Sequence, residues 1–236
     1  YLFMIRRRKI IPTIIFDLDD TLIKTNEIYR NARSEFVTIM IEQGFPAGEC
    51  LEKLDEIDIE HVRQQGFAIG RYPLSLVKTY QFYCQNSDKK IDQEMEKKVA
   101  QIGWRVFEQI PEPVEGVNIV LNALKERYTL ILATMGDSET QHYKIDHSGL
   151  KHYFKAVYIL SYKTPEEYQE ILAEHNLEKE NTWLVGNSIR SDLNPGLKLG
   201  LNCILIPVPT WKFEEEKPIS DQYIQVDTLI EVLHYL

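Results

Sequence analysis

Ile14-Ile15-Phe16-Asp17-Leu18-Asp19-Asp20-Thr21-Leu22 is the stretch that decides how this chain reads. An apolar run stops abruptly at three carboxylates and a threonine. In extended chain, alternation puts Asp17 and Asp19 on one side. Two carboxylates held that close repel unless a cation or a proton is shared between them. A strand end that accepts this cost binds a metal, does acid–base chemistry, or both. Asp20 is out of phase with its neighbours and is expected to point away and cap a turn. Thr21 is expected to orient the loop.

Further along, the runs Thr129–Ala133, Ala156–Leu160, Trp183–Val185 and Cys203–Ile206 are continuous rather than alternating. Together with Thr13–Phe16 they read as parallel strands covered on both faces. Helical patterns lie between them. Val117, Val120, Leu121 and Leu124 repeat at helix spacing. So do Tyr168, Ile171 and Leu172, after a Thr164-Pro165-Glu166-Glu167 start with a cap and a proline at the first position. From residue 113 onward helix and strand alternate four times, which predicts an α/β, doubly wound parallel sheet.

Residues 24–112 break that rhythm. They contain no convincing strand and four helical patterns, the cleanest running through Ile91, Met95, Val99, Ile102, Val106 and Ile110. Breaks fall at Gly44-Phe45-Pro46, Gly66–Pro73 and Asn86-Ser87-Asp88, and Pro111-Glu112-Pro113 reads as a linker. The expected organisation is a core of residues 1–23 and 113–236, with an all-helical insertion at 24–112. In that insertion the loop Gly66–Pro73 carries two glycines, two aromatics and an arginine. It is an interhelix turn first. As a lid element it would offer Arg71 and Tyr72 to a substrate. Trp211–Pro218 reads as a solvated polar loop.

The chain has 236 residues, 44% hydrophobic and 27% charged, enough for a real core. A net charge of −9 argues against a nucleic-acid binder. The basic cluster Arg6-Arg7-Arg8-Lys9 reads as a solvated arm. No apolar run is long enough to span a membrane, and no signal-peptide pattern is evident. Cys50, Cys84 and Cys203 fall in no metal-ligand spacing and read as buried, reduced thiols, so a cytoplasmic protein is expected. His142, His147 and His152 step by five and do not stack on one helix face.

In a doubly wound sheet, ligands sit outside the carboxyl ends of the strands. There the sequence places Asp17, Asp19 and Thr21; Thr134-Met135-Gly136; Ser161-Tyr162-Lys163; and Gly186-Asn187-Ser188 with Asp192. Carboxylates without histidine or thiol select a hard cation such as Mg²⁺. Thr134 with the backbone N–H groups of Met135 and Gly136 can cradle an anion. Lys163 can offset the charge of nucleophile and substrate. An aspartate can attack a phosphoryl group. Asp137 and Ser138 most simply begin the next helix.

With these residues in order, the chain resembles the haloacid dehalogenase superfamily. The first motif, DxDxT, is Asp17-Leu18-Asp19-Asp20-Thr21. The second is the apolar strand ending in Thr134, the third Lys163, and the fourth Gly186 through Asp192. The resemblance implies a Rossmann-like core with a helical cap between the first and second motifs. It implies a Mg²⁺-dependent hydrolase, a phosphatase acting on a small phosphorylated metabolite through an aspartyl-phosphate intermediate. On the family pattern Asp17 would be nucleophile and metal ligand. Asp19 would move protons, its backbone carbonyl binding the metal. Thr134 and Lys163 would hold the phosphoryl group, and Asp192 would complete the metal site. Asn187 stands where an aspartate is usual; its amide oxygen can ligate Mg²⁺ without adding charge, or the amide can hydrogen-bond groups around the metal without touching it. The rivals are a metal-independent 2-haloacid dehalogenase, a phosphomutase, and a catalytically silent binding protein of the same fold. Dehalogenases lack the second carboxylate of the first motif, and Asp19 is present.

Overall fold

The computed structural model describes residues 11–209 and 211–236. The basic cluster Arg6–Lys9 lies outside them. Six parallel strands form one sheet: β1 (Thr13–Phe16), β2 (Thr129–Met135), β3 (Ala156–Leu160), β4 (Thr182–Gly186), β5 (Asn202–Leu205) and β6 (Ile224–Gln225), in the order β3-β2-β1-β4-β5-β6. β1 sits centrally, Phe16 in register with Leu132 of β2 and Val185 of β4. The strand order reverses at β1, so the carboxyl end of β1 faces the crevice of a switch point.

Among the described residues eight α-helices accompany the sheet: α1 (Thr25–Glu42), α2 (Ala47–Gln65), α3 (Arg71–Asn86), α4 (Gln93–Glu108), α5 (Val117–Lys125), α6 (Ser138–Ser148), α7 (Pro165–Glu174) and α8 (Asn194–Leu199). The sheet's side chains alternate between two cores. Ile14, Phe16, Leu130, Leu132, Val185 and Ile204 pack with α5 and Ile145 of α6. Ile15, Ile131, Ala133, Leu184 and Cys203 pack with Tyr168, Ile171 and Leu172 of α7. This is double winding seen residue by residue. α7 begins as its sequence predicts, with Thr164 and Glu167 in a reciprocal capping box and proline in the first turn.

Helices α1–α4 build a third core of their own, centred on Phe36, Met40, Leu54, Leu76, Tyr80, Val99 and Ile102. α3 and α4 pack so closely at Gly103 that a Cβ there would meet Pro73 Cα at 2.5 Å. The strands that lead in and out of this bundle run side by side. Lys24 N–H donates to Glu112 O at 2.7 Å, and Val114 N–H donates to Leu22 O at 2.9 Å. Among the described residues no helix is long and apolar enough to cross a membrane. All three cysteines are buried and free.

Four sequence expectations are corrected. β2 continues through Thr134 and Met135, which stay paired with Ile159 and Leu160 of β3; backbone pairing extends past the apolar run. Arg71, Tyr72 and Pro73 are the first turn of α3 rather than loop, because proline's fixed φ and missing N–H suit a first turn. α4 stops short of Ile91 and Ile110, both of which are exposed. Finally, the stretch after β5 is solvated only in part: Glu215, Glu216 and Lys217 are exposed as expected, but its aromatics fold inward. Trp211 stacks on Phe213 with ring centroids 5.3 Å apart, and Phe213 is buried.

Candidate active site

The carboxyl ends of β1, β2 and β4, the loop after β3 and the cap helices enclose one cavity of about 740 Å³. Asp17, Asp19, Met135, Gly136, Lys163, Asn187, Asp192, Arg71 and Tyr72 all line it. Thr134 is fully buried just behind, where the Gln141 amide contacts its hydroxyl.

Asp17 is the first residue beyond β1, tied to the neighbouring strand by a 2.9 Å bond from its N–H to Val185 O. Lys163 Nζ donates to Asp17 Oδ1 at 2.5 Å and to Asp192 Oδ1 at 2.7 Å. Thr21 Oγ1 donates to Asp17 Oδ2 at 2.7 Å and lies 3.4 Å from Asn187 Oδ1. One ammonium therefore serves two buried carboxylates, which leaves the group one negative charge in excess. Burial, with Asp192 and Asp19 nearby, pushes the Asp17 carboxyl up to about 7 against the pull of Lys163. Burial disfavours the Lys163 ammonium, yet the facing carboxylates hold its pKa well above the ordinary lysine value.

Asp192 is positioned by a π-helical turn, Ile189–Leu193, separated from the end of β4 by Asn187 and Ser188. Such turns cluster at functional sites because the extra residue re-aims a side chain. Asp192 Oδ2 accepts from Ser188 N–H at 3.1 Å. A Cβ on Gly186 would lie 2.3 Å from Asp192 Cγ, so only glycine lets that carboxylate fold back toward Asp17.

Asp19 has a separate set of partners. The strand ends at Phe16, so alternation does not reach it. Lys144 Nζ donates to Asp19 Oδ1 at 2.8 Å, Thr25 Oγ1 to the same oxygen at 2.5 Å, and Gln141 Nε2 to Oδ2 at 2.7 Å. Burial works to raise the Asp19 pKa, but the Lys144 charge and these bonds outweigh it and hold the carboxyl below its ordinary value. Two carboxylates two residues apart thus have opposite tendencies. Asp20 stands in the left-handed region at φ 63° and accepts from Asn26 N–H at 2.7 Å. It caps the start of α1, as its phase suggests, and also lines the cavity.

Gly136 does not fit the anion cradle expected of it. Its N–H donates to Leu160 O at 3.1 Å and belongs to the sheet. Successive N–H groups along a strand point to opposite sides, so the Met135 N–H is directed away from β3.

Sequence reasoning missed Lys144, Gln141, Thr25 and Glu214. Gln141 and Lys144 stand three apart on α6, on one face of the helix that begins where β2 ends; that spacing was the available signal. Glu214 accepts from both Ser188 Oγ at 2.5 Å and Ser191 Oγ at 2.6 Å, bracing the turn that carries Asp192. Nothing in a run of charged residues announces this.

The donor set suits a hard divalent cation. Among the described residues no three His, Cys, Asp or Glu side chains converge. Asp17 and Asp192 instead supply two carboxylates, with the amide oxygen of Asn187 on the Thr21 hydroxyl that bonds Asp17. Mg²⁺ is commonly held by one or two carboxylates, with water and phosphate oxygens filling the remaining positions. The excess negative charge of the Asp17–Lys163–Asp192 group fits the same ion.

The profile of the haloacid dehalogenase-like hydrolases matches residues 11–200. A haloacid dehalogenase-like family hydrolase from Xanthomonas campestris superposes with a TM-score of 0.79 at 26% identity, covering 95% of this chain and 90% of that one. YfnB of Bacillus subtilis is 23% identical over 95% of this chain and 94% of its own length; its structure, solved with magnesium bound, superposes with a TM-score of 0.65. A glyceraldehyde 3-phosphate phosphatase from Pyrococcus furiosus is 24% identical over 82% of this chain and 80% of its own. The chain belongs to the haloacid dehalogenase-like hydrolase family, and it is a hydrolase.

Proposed function

We propose that this hydrolase is a Mg²⁺-dependent phosphatase that cleaves a small organic phosphomonoester through an aspartyl phosphate on Asp17. The observation that carries the reading is that Asp17, at the end of β1, shares the Lys163 ammonium with Asp192, while Asp19 is bonded separately by Lys144, Thr25 and Gln141. Carboxylates with separate partners can take separate roles, and a bound Mg²⁺ would lower the Asp17 pKa and keep that carboxylate free to attack. The phosphatase names of archaeal relatives support it.

Asp17 attacks phosphorus, and the bond from phosphorus to the leaving oxygen breaks. Asp19 gives that oxygen its proton. An arriving phosphate dianion raises the Asp19 pKa by like-charge repulsion, which lets the group carry the proton despite its low resting value. Water then attacks phosphorus, Asp19 takes its proton, and phosphate leaves with Asp17 restored. Lys163 and the Met135 N–H hold the phosphoryl oxygens, with Thr134 supporting that wall from behind through Gln141. Asp17, the Asp19 carbonyl, Asp192 and Asn187 would hold the Mg²⁺, which when bound neutralises charge on the transferring group. Residues 24–112 act as a cap that excludes water and selects the leaving group.

Hydrolysis of p-nitrophenyl phosphate with Mg²⁺, arrested by EDTA, tests this reading. Undiminished turnover under chelation removes the metal from the account. Chloride release from 2-chloropropionate without metal favours the dehalogenase instead.

A further inference from the structure

We propose that the cap wall of the cavity, at Arg71 and Tyr72, is a second subsite that binds a carboxylate on the leaving group of the substrate. The proposal rests on the phosphatase reading for the position of the phosphate and extends it to the substrate's other end.

Arg71 and Tyr72 open α3 and are 6% and 3% exposed. Arg71 pairs with Asp58 through Nη1. Its guanidinium lies over the Phe67 ring, 5.8 Å from the centroid, and over Trp211, 5.3 Å away. The guanidinium thus lies within cation–π reach of two rings, and one corner meets a carboxylate. Nε is left with no acceptor among the described residues. The Tyr72 hydroxyl is likewise buried without a partner; its ring packs edge-on against Tyr29, with centroids 5.1 Å apart. Both residues border the cavity that holds Asp17.

Buried donors left unmade are costly, and a native structure that keeps two of them on consecutive residues lining one cavity is built for an acceptor. The charge balance says which acceptor. The cap wall carries Arg30, Arg33 and Arg71 against Asp55 and Asp58, one positive charge in excess. Arg33 spends both its terminal nitrogens on Asp55, at 2.6 and 3.2 Å. A planar guanidinium edge matches the two oxygens of a carboxylate, and the Tyr72 hydroxyl adds a further donor on the same wall. The cavity volume is well above what a phosphate alone needs, within the usual range for a whole small ligand.

The test uses a graded series of ω-carboxyalkyl phosphates, each paired with the n-alkyl phosphate of equal length. Turnover is followed as kcat/KM with Mg²⁺, and binding is followed by calorimetry. At the length that spans the cavity, the carboxylated member is expected to bind and react better than its twin by about tenfold or more. Arg71→Lys keeps the charge beside Asp58 but loses the fork, and Tyr72→Phe loses only the hydroxyl. Each should bring that ratio toward one. A ratio near one at every length in the unaltered protein overturns the proposal. So does a ratio that survives both substitutions. Turnover without preference defeats the subsite and leaves the phosphatase standing; preferential binding without turnover of any phosphate does the reverse.

Discussion

Lys144 and Asp19 are 125 residues apart in sequence, and their charged atoms lie 2.8 Å apart at the mouth of the cavity. The contact fixes the protonation state of the residue proposed to shuttle protons. Burial opposes the charge on Lys144, but Asp19 and its surroundings hold the ammonium above the ordinary lysine value. Lys144→Met should therefore release Asp19 from its low pKa. The kcat–pH profile should lose its low-pH plateau, with the limb that needs ionised Asp19 moving to higher pH. Turnover near neutrality should fall by about 10–100-fold. A pH profile unchanged by the substitution would remove Lys144 from any role in setting Asp19.

Asn187 tests the metal site. Its amide oxygen lies beside the Thr21 hydroxyl that bonds Asp17. A carboxylate there adds charge to a ligand set that has only two. Asn187→Asp should tighten Mg²⁺ by about tenfold in a calorimetric titration. An unchanged Mg²⁺ affinity would place the side chain outside the ligand sphere.

The metal-free protein should lose stability as pH rises toward neutrality. Burial holds both Asp17 and Asp20 at about 7 in the fold, against an ordinary value of 3.8. Between those values the folded chain keeps protons that the unfolded chain has released, so unfolding becomes easier with rising pH. The stabilisation from these two groups is complete below 3.8 and gone above about 7. Asp19, with its depressed pKa, works the other way and loses its contribution in acid. Melting temperature measured in EDTA should fall across that window. Asp17→Asn should flatten the fall; an identical slope in the variant would contradict the shift at Asp17.

Gly103→Ala should destabilise the helical segment by about 1–3 kcal/mol, because the new methyl meets the backbone of Pro73 and not a movable side chain. Thermal unfolding measures this directly. Pro73 follows Arg71 and Tyr72 in the same turn, so any repacking there should also disturb the cap wall.

The residues that carry charge at strand ends were legible in the sequence because an apolar strand that stops at Asp17, or at Gly186-Asn187, has no packing reason to do so. The doubly wound parallel class of the sheet followed from alternation of helix and strand after residue 113, whereas the order of its strands did not. Lys144 and Gln141 were not legible, since a helix of polar residues beyond β2 looks solvated until the crevice it faces is known. Trp211 and Glu214 were misread for the same reason: a charged loop declares its composition, not that it folds back over the turn holding Asp192. The first turn of α3 was misplaced because Gly70 and Pro73 punctuate a loop and a helix start alike. Gly136 shows the limit in reverse, its N–H being taken by Leu160 in an extension of the sheet that the apolar run alone does not mark.

The central claim is that Asp17 carries the phosphoryl group. Acid quenching during steady turnover of p-nitrophenyl phosphate with Mg²⁺, followed by peptide mass analysis, reads this directly. A phosphoryl adduct should appear on Asp17, disappear with EDTA, and be absent from Asp17→Asn along with turnover. Sustained turnover by Asp17→Asn, with no adduct on this residue in the unaltered protein, would contradict the account.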